Sequence, residues 1–344
     1  MSMIPILDDD DNDNNASATT TTTTTTTGSA PPIDWQQVFH NAMNDGSNLA
    51  ELKIAPRPAL MGAWMREGDL GMIYAARGVG KTWLSMMLAH ALADGIRLGE
   101  WGAGEQGPGP VVYVDGEMNL ADTVAREQQM TAMGFHSGNL TFLHHEQLPE
   151  GRHLNLADFG QQEALLAEAK ARGAKAVVLD NISCLFRGVD ENDNNEWEKV
   201  SPWLLSFRRA GVAVVLIHHE GRNGGGARGA SRREDMMHWV IRLESNSVTG
   251  GDDGAAFTSS FTKCRNCPGS EAPPLEWRVG KGGVECERGD DVEQMVALVR
   301  DGFSVCGEIA DYMGWNKSRV SKIAHRAINA GRLEKSGRGY KIPG

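Results

Sequence analysis

No stretch of this chain approaches the ~20 consecutive apolar residues needed to cross a bilayer, so nothing in it reads as a membrane-spanning helix. A basic segment followed by an apolar core is missing near Met1, which removes the usual reason to expect secretion. Cysteine is scarce and odd in number: the five residues show no regular spacing. That suits a reducing cytoplasm and argues against a disulfide framework. Excess positive charge is lacking too. At a net charge of -11, the chain cannot coat nucleic acid with its whole surface. The charge is also uneven. Asp8, Asp9, Asp10, Asp11 and Asp13 load one end, whereas Lys317, Arg319, Lys322, Arg326, Arg332, Lys335, Arg338 and Lys341 face Glu334 alone. A basic module near the other end follows from that asymmetry.

The length of 344 residues suggests one large domain and a small one. Residues 1–32, rich in Asp and Asn and holding nine consecutive threonines at 19–27, cannot bury a core and read as a disordered tail. Residues 33–55 carry a helix-like pattern with Trp35, Val38, Phe39 and Met43, an arm able to pack on the body or on a neighbour. Pro56 and Pro58 then interrupt the chain.

What the chain does contain is organised around residues 70–93. The apolar run 72–76 reads as a buried strand, and Leu84, Met87, Leu88, Ala91 and Leu92 share one helical face that Gly95 stops. Between them stands Gly78-Val79-Gly80-Lys81-Thr82. A strand, a glycine turn and a helix opening at Lys-Thr is the layout of a P-loop. Ala76, Arg77, Gly78, Val79, Gly80, Lys81, Thr82 and Trp83 are therefore the candidate ATP-binding segment. Lys81 would reach the β/γ oxygens and the Thr82 hydroxyl would hold Mg2+. Ala75 replaces the usual first glycine, at small cost if its φ stays negative.

Three more apolar strands end in polar residues. In open parallel sheets, chemistry collects beyond the carboxyl ends of strands. Strand 111–114 leads to Asp115-Gly116-Glu117, so Glu117 could polarise the water attacking a γ-phosphate, or merely cap the helix at 120–133. Strand 176–179 ends in Asp180, placed to hold Mg2+ opposite Thr82, or else to cap a helix. The segment 187–198 is an acidic surface loop. Strand 212–217 ends in His218-His219-Glu220, where a polar group could sense the γ-phosphate. Adjacent histidines on a strand point to opposite faces, which disfavours a shared metal.

The basic glycine loop 222–233, with Arg222, Arg228, Arg232 and Arg233, could follow a DNA backbone, meet a neighbouring subunit, or simply be solvated. Two further strands, 238–243 and 256–263, flank a turn around 250–254. Cys264 and Cys267 lack a second pair for zinc, whereas Lys263 and Arg265, two apart at a strand end, project the same way. From Asp290 the pattern changes to helices at 292–300 and 306–313, a turn at Gly314-Trp315, and a third helix starting at Asn316 or Lys317. Residues 333–342 resemble a hairpin wing. This is a winged helix-turn-helix pattern. Lys317, Ser318, Arg319, Lys322 and Arg326 lie on the exposed side of its third helix, to contact DNA or a protein.

Over residues 56–280 the chain resembles the RecA-like hexameric ATPases, most closely the plasmid RepA-type replicative helicases and their AAA family ATPase relatives. ARGVGKT is similar to their Walker A, VVLDN to Walker B, and VVLIHHEGR with ARGAS to the sensor and glycine loop. YVDGEMN resembles the segment carrying the catalytic glutamate, which implies that role for Glu117 and a sensing role for His218 or His219. FTKCRNCPG resembles the Lys-x-Arg strand end inserted into a neighbour's ATP site. That implies trans fingers at Lys263 and Arg265, with Arg228 as competitor.

The resemblance implies an α/β RecA-like core with a mainly parallel sheet, followed here by the small C-terminal winged helix. It also implies ATP and Mg2+, a cytoplasmic homo-oligomer expected to be a hexamer, and DNA as partner: single strands through the core, duplex possible through the winged helix. A primase or another replication protein could be a further partner. The activity implied is that of a DNA-dependent ATPase and replicative helicase. The alternative is an ATP-switched origin-binding regulator that never unwinds. A small-molecule kinase is a weaker third reading, since it would need neither the Lys-x-Arg strand end nor the basic loop.

Overall fold

A computed structural model describes residues 33–188, 194–220, 234–246, 254–289, 291–313 and 315–343, with only the main chain at 194–196. The tail at 1–32, the centre of the acidic loop, nearly all of the turn at 250–254, Asp290, Gly314 and the whole basic glycine loop lie outside those residues. Internal contacts divide the chain after Ala55. The first unit holds helices α1 (Trp35–Ala42) and α2 (Gly46–Glu51). Asp34 and Asp45 open them by accepting the main-chain N–H groups of Gln37 and Asn48. Neither helix buries a residue, and Trp35, Phe39 and Met43 are exposed.

The second unit begins with the short hairpin β1 (Ala59–Met61) and β2 (Met65–Arg66). An alternating run follows: β3 (Leu70–Ala75), α3 (Lys81–Asp94), β4 (Val111–Asp115), α4 (Leu120–Ala132), β5 (Leu140–His144) and α5 (Phe159–Ala171). It continues through β6 (Ala176–Asp180), α6 (Ile182–Leu185), α7 (Asn194–Arg209), β7 (Ala213–His219) and β8 (Trp239–Ser245). Then come β9 (Ala255–Cys264), β10 (Leu275–Gly280) and β11 (Gly283–Arg288). All nine strands from β3 onward form one sheet, in the order β11-β10-β9-β8-β3-β7-β6-β4-β5. From β8 to β5 every pairing is parallel; β9, β10 and β11 add an antiparallel flank. The expected mainly parallel α/β sheet is present.

The parallel strands are apolar throughout because both faces are covered. Ile73, Val178 and Val215 point to the layer containing α3, whereas Met72, Leu179 and Leu216 point to the layer of α5 and α7. Helix α3 departs from the amphipathic expectation: apart from Thr82 and Asp94, all its residues are buried. Its outer side is closed by the same cluster that holds Trp64, Trp101 and Phe257. Gly71 is required in β3, since a Cβ there would lie 2.1 Å from the Trp239 ring.

Strands β5, β10 and β11 had no counterpart in the sequence reading, although Leu275, Trp277 and Val279 alternate with polar residues. The chain closes with α8 (Asp291–Arg300), α9 (Cys306–Met313), α10 (Lys317–Asn329) and the hairpin β12 (Glu334–Ser336) and β13 (Gly339–Lys341). These share a separate core around Met295, Ile309, Val320, Ile323 and Leu333. Tyr312 ties this module to the sheet, donating its hydroxyl to the Phe261 carbonyl and accepting the Gly269 N–H at 2.9 Å.

Candidate active site

The carboxyl ends of β3, β4, β6 and β7 meet at one edge of the sheet. There β3 runs into a turn in which Gly78 and Gly80 have φ of 76° and 124°, conformations that glycine adopts without penalty. At Gly80 the space is closed as well, since a Cβ would lie 2.6 Å from the Phe257 ring. Gly80 opens α3, and no side chain caps that terminus. Its free N–H groups and positive dipole end therefore face the turn, an arrangement suited to phosphate. Lys81 is buried beneath it, with Nζ donating to the carbonyls of Ala75 at 3.1 Å and Ala76 at 2.9 Å. Burial lowers its pKa, and the nearby Asp180 and Glu117 charges oppose that.

Asp180 is buried at the end of β6 and accepts the Tyr113 hydroxyl at 2.6 Å, while that hydroxyl also meets Ser85 Oγ at 2.8 Å. Burial pushes the Asp180 carboxyl up to about 6, against the hydrogen bonds from Tyr113 and Thr82. Thr82 thus lies near enough to Asp180 to bear on its carboxyl, and a hydroxyl and a carboxylate are oxygen donors that an octahedral Mg2+ would accept alongside waters and phosphate oxygens. The described residues hold no group of three or more His, Cys, Asp or Glu that would suggest another metal.

Glu117 stands beyond β4 on a turn held by Asp115, whose Oδ1 accepts the N–H groups of Glu117 and Met118 at 3.0 Å each. Asn181 Nδ2 donates to Glu117 Oε2, and His219 Nε2 lies 3.5 Å from the same oxygen and 3.0 Å from Asn181 Nδ2. The hydrogen bond with His219 is the main reason the Glu117 carboxyl is held low. Neither acid caps a helix: Asn119 caps α4 and Asn181 caps α6.

Of the two histidines, it is His219 that reaches Glu117. His218 is buried, opposite Tyr74 in the sheet register, and strand alternation sends its side chain to the other face from His219. Of the two sensor candidates, His218 is therefore turned away from Glu117 and His219 toward it. Trp83 also differs from expectation. Its side chain is buried in the α3 cluster with the Arg126 guanidinium 4.5 Å above its ring, so only its main chain is free to line the loop. Arg126 was missed by the sequence reading. It is a partly buried cation on α4 that feels Asp180, Asp122 and Asp115, and a lone Arg in a polar helix offers no pattern that marks it.

Lys263 and Arg265 are brought together but away from this edge. Lys263 Nζ donates to the Glu234 carbonyl, and Arg265 donates to the Asp235 carbonyl at 2.7 Å. Cys264 pairs with Trp239, which pairs with Gly71 near the start of β3. The two cations therefore sit about 20 Å, one strand length, from their own P-loop. Arg222, Arg228, Arg232 and Arg233 lie outside the described residues. Lys317, Ser318, Arg319 and Lys322 are exposed on α10. Arg319 is bound back to Asp291 at 3.0 and 3.1 Å and lies over Trp315, and Arg326 is 3.8 Å from the same carboxylate.

An uncapped glycine turn over a buried lysine, with acids at the neighbouring strand ends of a largely parallel sheet, defines a P-loop ATPase. Residues 41–225 match the AAA domain family, and the chain belongs to it. A solved structure, a KaiC-like protein from the hyperthermophilic archaeon Pyrococcus horikoshii OT3, is similar over 64% of this chain and 90% of that one, at 18% identity and a TM-score of 0.45. No curated protein matches the chain. No helix among the described residues is long and apolar enough to cross a membrane.

Proposed function

We propose that this ATPase is DNA-dependent and hydrolyses ATP between subunits of a ring, as a RepA-like replicative helicase does. The observation that carries the reading is the separation of Lys263 and Arg265 from their own P-loop. Cations at that end of the sheet cannot serve their own subunit's phosphates, and in this reading they serve a neighbour's. In this reading, the turn at 76–82 and Lys81 bind the phosphates, and Thr82 with Asp180 holds Mg2+. The ion supplies neutralising charge to the phosphate oxygens. Glu117, kept ionised by His219 and Asn181, orients the attacking water and accepts its proton. Because His219 touches both Glu117 and Asn181, it is placed to transmit occupancy of the site to β7.

The C-terminal helices and hairpin are read as a winged helix, with Lys317, Ser318 and Lys322 as its open contacts to duplex DNA. A ring of six and a replication partner such as a primase belong to the same proposal.

One observation favours the second reading, an ATP-switched origin-binding protein. Arg242 joins Glu220, directly after the sensor strand, at 2.9 Å to Asp301 of the C-terminal module at 2.9 Å. ATP hydrolysis measured with and without single-stranded DNA, with Lys81→Ala as the blank, separates the two. Strong stimulation by single strands supports the motor. Turnover that responds only to duplex, or to neither, moves the assignment to the switch.

A further inference from the structure

The Cys264/Cys267 pair takes no part in the ATP site and lacks the partners for zinc, yet its local geometry is specific. Strand β9 ends at Cys264, and the chain turns so that the Cys267 sulfur lies 3.3 Å from the Cys264 sulfur. The main-chain N–H groups of Asn266 and Cys267, in the same turn, add to the lowering of the Cys264 thiol, as donors near a sulfur favour the thiolate. The turn is anchored from within: Asn266 Nδ2 donates to the Trp64 carbonyl at 2.7 Å and to Asp69 Oδ2 at 2.6 Å. Both cysteines are half-buried, within reach of a small reagent. The hydrogen bond with Cys267 is the main cause drawing the Cys264 thiol down to about 7, while Cys267 is pushed up. One sulfur is therefore prepared to attack and the other to resolve. Cys286 is the contrast, since burial pushes its thiol up to about 11.

We propose that Cys264 and Cys267 form a redox-active dithiol that exchanges with low-molecular-weight disulfides and closes to a disulfide within one chain. The Cys264 thiolate attacks one sulfur of the small disulfide, forming a mixed disulfide and expelling a small thiolate. Cys267 then loses its proton to solvent and attacks the Cys264 sulfur, expelling the second small thiolate. Two electrons pass from the protein dithiol to the small disulfide, which leaves as two thiols. The sulfurs need only close from 3.3 Å to the covalent distance of about 2.05 Å. The ring so formed encloses Arg265 and adjoins Gly269, whose N–H donates to the Tyr312 carbonyl. Its redox state therefore acts on the turn that joins the Lys-x-Arg strand end to the C-terminal module. The proposal rests on the thiol geometry and stands apart from the nucleotide reading.

The test uses the full chain incubated with oxidised glutathione, then alkylated, digested with trypsin and analysed by mass spectrometry. Cleavage after Lys263 and Arg265 puts the two cysteines on separate peptides. The expected product is a disulfide joining 264–265 to 266–278, reversed by dithiothreitol, with Cys286 remaining open to alkylation. Cys267→Ser should trap glutathione on Cys264, and Cys264→Ser should slow thiol exchange at this turn at least about tenfold. A stable glutathione adduct on the unmutated pair, no reaction at the pair, or failure of Cys267→Ser to trap an adduct would each overturn the proposal.

Discussion

The two ends of the central sheet are built differently. At the carboxyl ends of the parallel strands, Asp115 and Asp180 are buried, Glu117 reaches the surface, and all three are already engaged with other side chains: Asp180 with Tyr113, Asp115 with Thr123, Glu117 with Asn181 and His219. At the opposite end, Lys263 and Arg265 are half-buried to exposed, and their hydrogen bonds go to main-chain carbonyls. The first arrangement resembles a site preorganised for charge that develops during reaction. The second is a pair of cations hydrogen-bonded to the Glu234 and Asp235 carbonyls, to which the proposed function assigns a partner outside the subunit. Under the proposed function, one sheet would carry a site at one end and, a strand length away, the cations offered to a neighbour's site.

Breaking the preorganised end should have the largest effect. Lys81→Ala is expected to abolish ATP turnover while leaving the circular dichroism spectrum unchanged; turnover at the level of the unmodified chain would remove the phosphate site from this edge. Arg265→Ala tests the other end. It should reduce turnover on the order of 10³-fold or more, the range of arginine fingers. In mixtures with unmodified chain, activity should fall more steeply than the unmodified fraction. Loss strictly in proportion to dilution would mean that the two ends do not meet between subunits. Glu117→Gln sharpens the chemistry within the first end, with turnover expected to fall about 10²–10⁴-fold and ATP binding, measured with a fluorescent analogue, retained. Unchanged turnover would assign the water to another group.

The smallest expected effect concerns the link between the sheet and the C-terminal module. Burial pushes the Asp301 carboxyl up to about 6, from an ordinary value of 3.8, despite Arg242. Between those values the folded chain holds a proton that the unfolded chain releases. Asp301 therefore adds stability as pH falls from about 6 toward 4, and that contribution is lost as pH rises, on the order of 1 kcal/mol. Urea unfolding at pH 5 and pH 7, compared with Asp301→Asn, reads this directly. A chain that gains no stability on acidification relative to the variant would show that the Arg242 ion pair outweighs burial.

Much of this was legible in one dimension. The P-loop is a local device, since its strand, glycines and helix are contiguous and each has a residue preference of its own. The strand-end acids at 115–117 and 180 were also visible, because fully buried parallel strands are apolar runs and any polar residue closing one stands out. Other features were hidden for identifiable reasons. Strand β5 is a half-buried edge strand with mixed residues, and β10 and β11 lie in a flank whose alternation is short and follows a Gly/Pro-rich turn. The choice between His218 and His219 depends on which face of β7 looks toward α3, and the identity of adjacent residues does not decide that. The basic residues of α10 looked equally available in the sequence, but Asp291, distant in the chain, holds Arg319 and Arg326.

By itself, the sequence determined the phosphate turn, the apolar strands and the carboxylates that close them, since these depend on backbone conformation and burial over a few neighbouring residues. Only the tertiary structure decided which groups converge. Strand order brings Glu117, Asn181 and His219 to one point from three separate strand ends. Antiparallel pairing carries Lys263 and Arg265 to the far end of the sheet, and a turn brings two sulfurs into contact. Side-chain chemistry is local, but the distance between two side chains belongs to the whole fold.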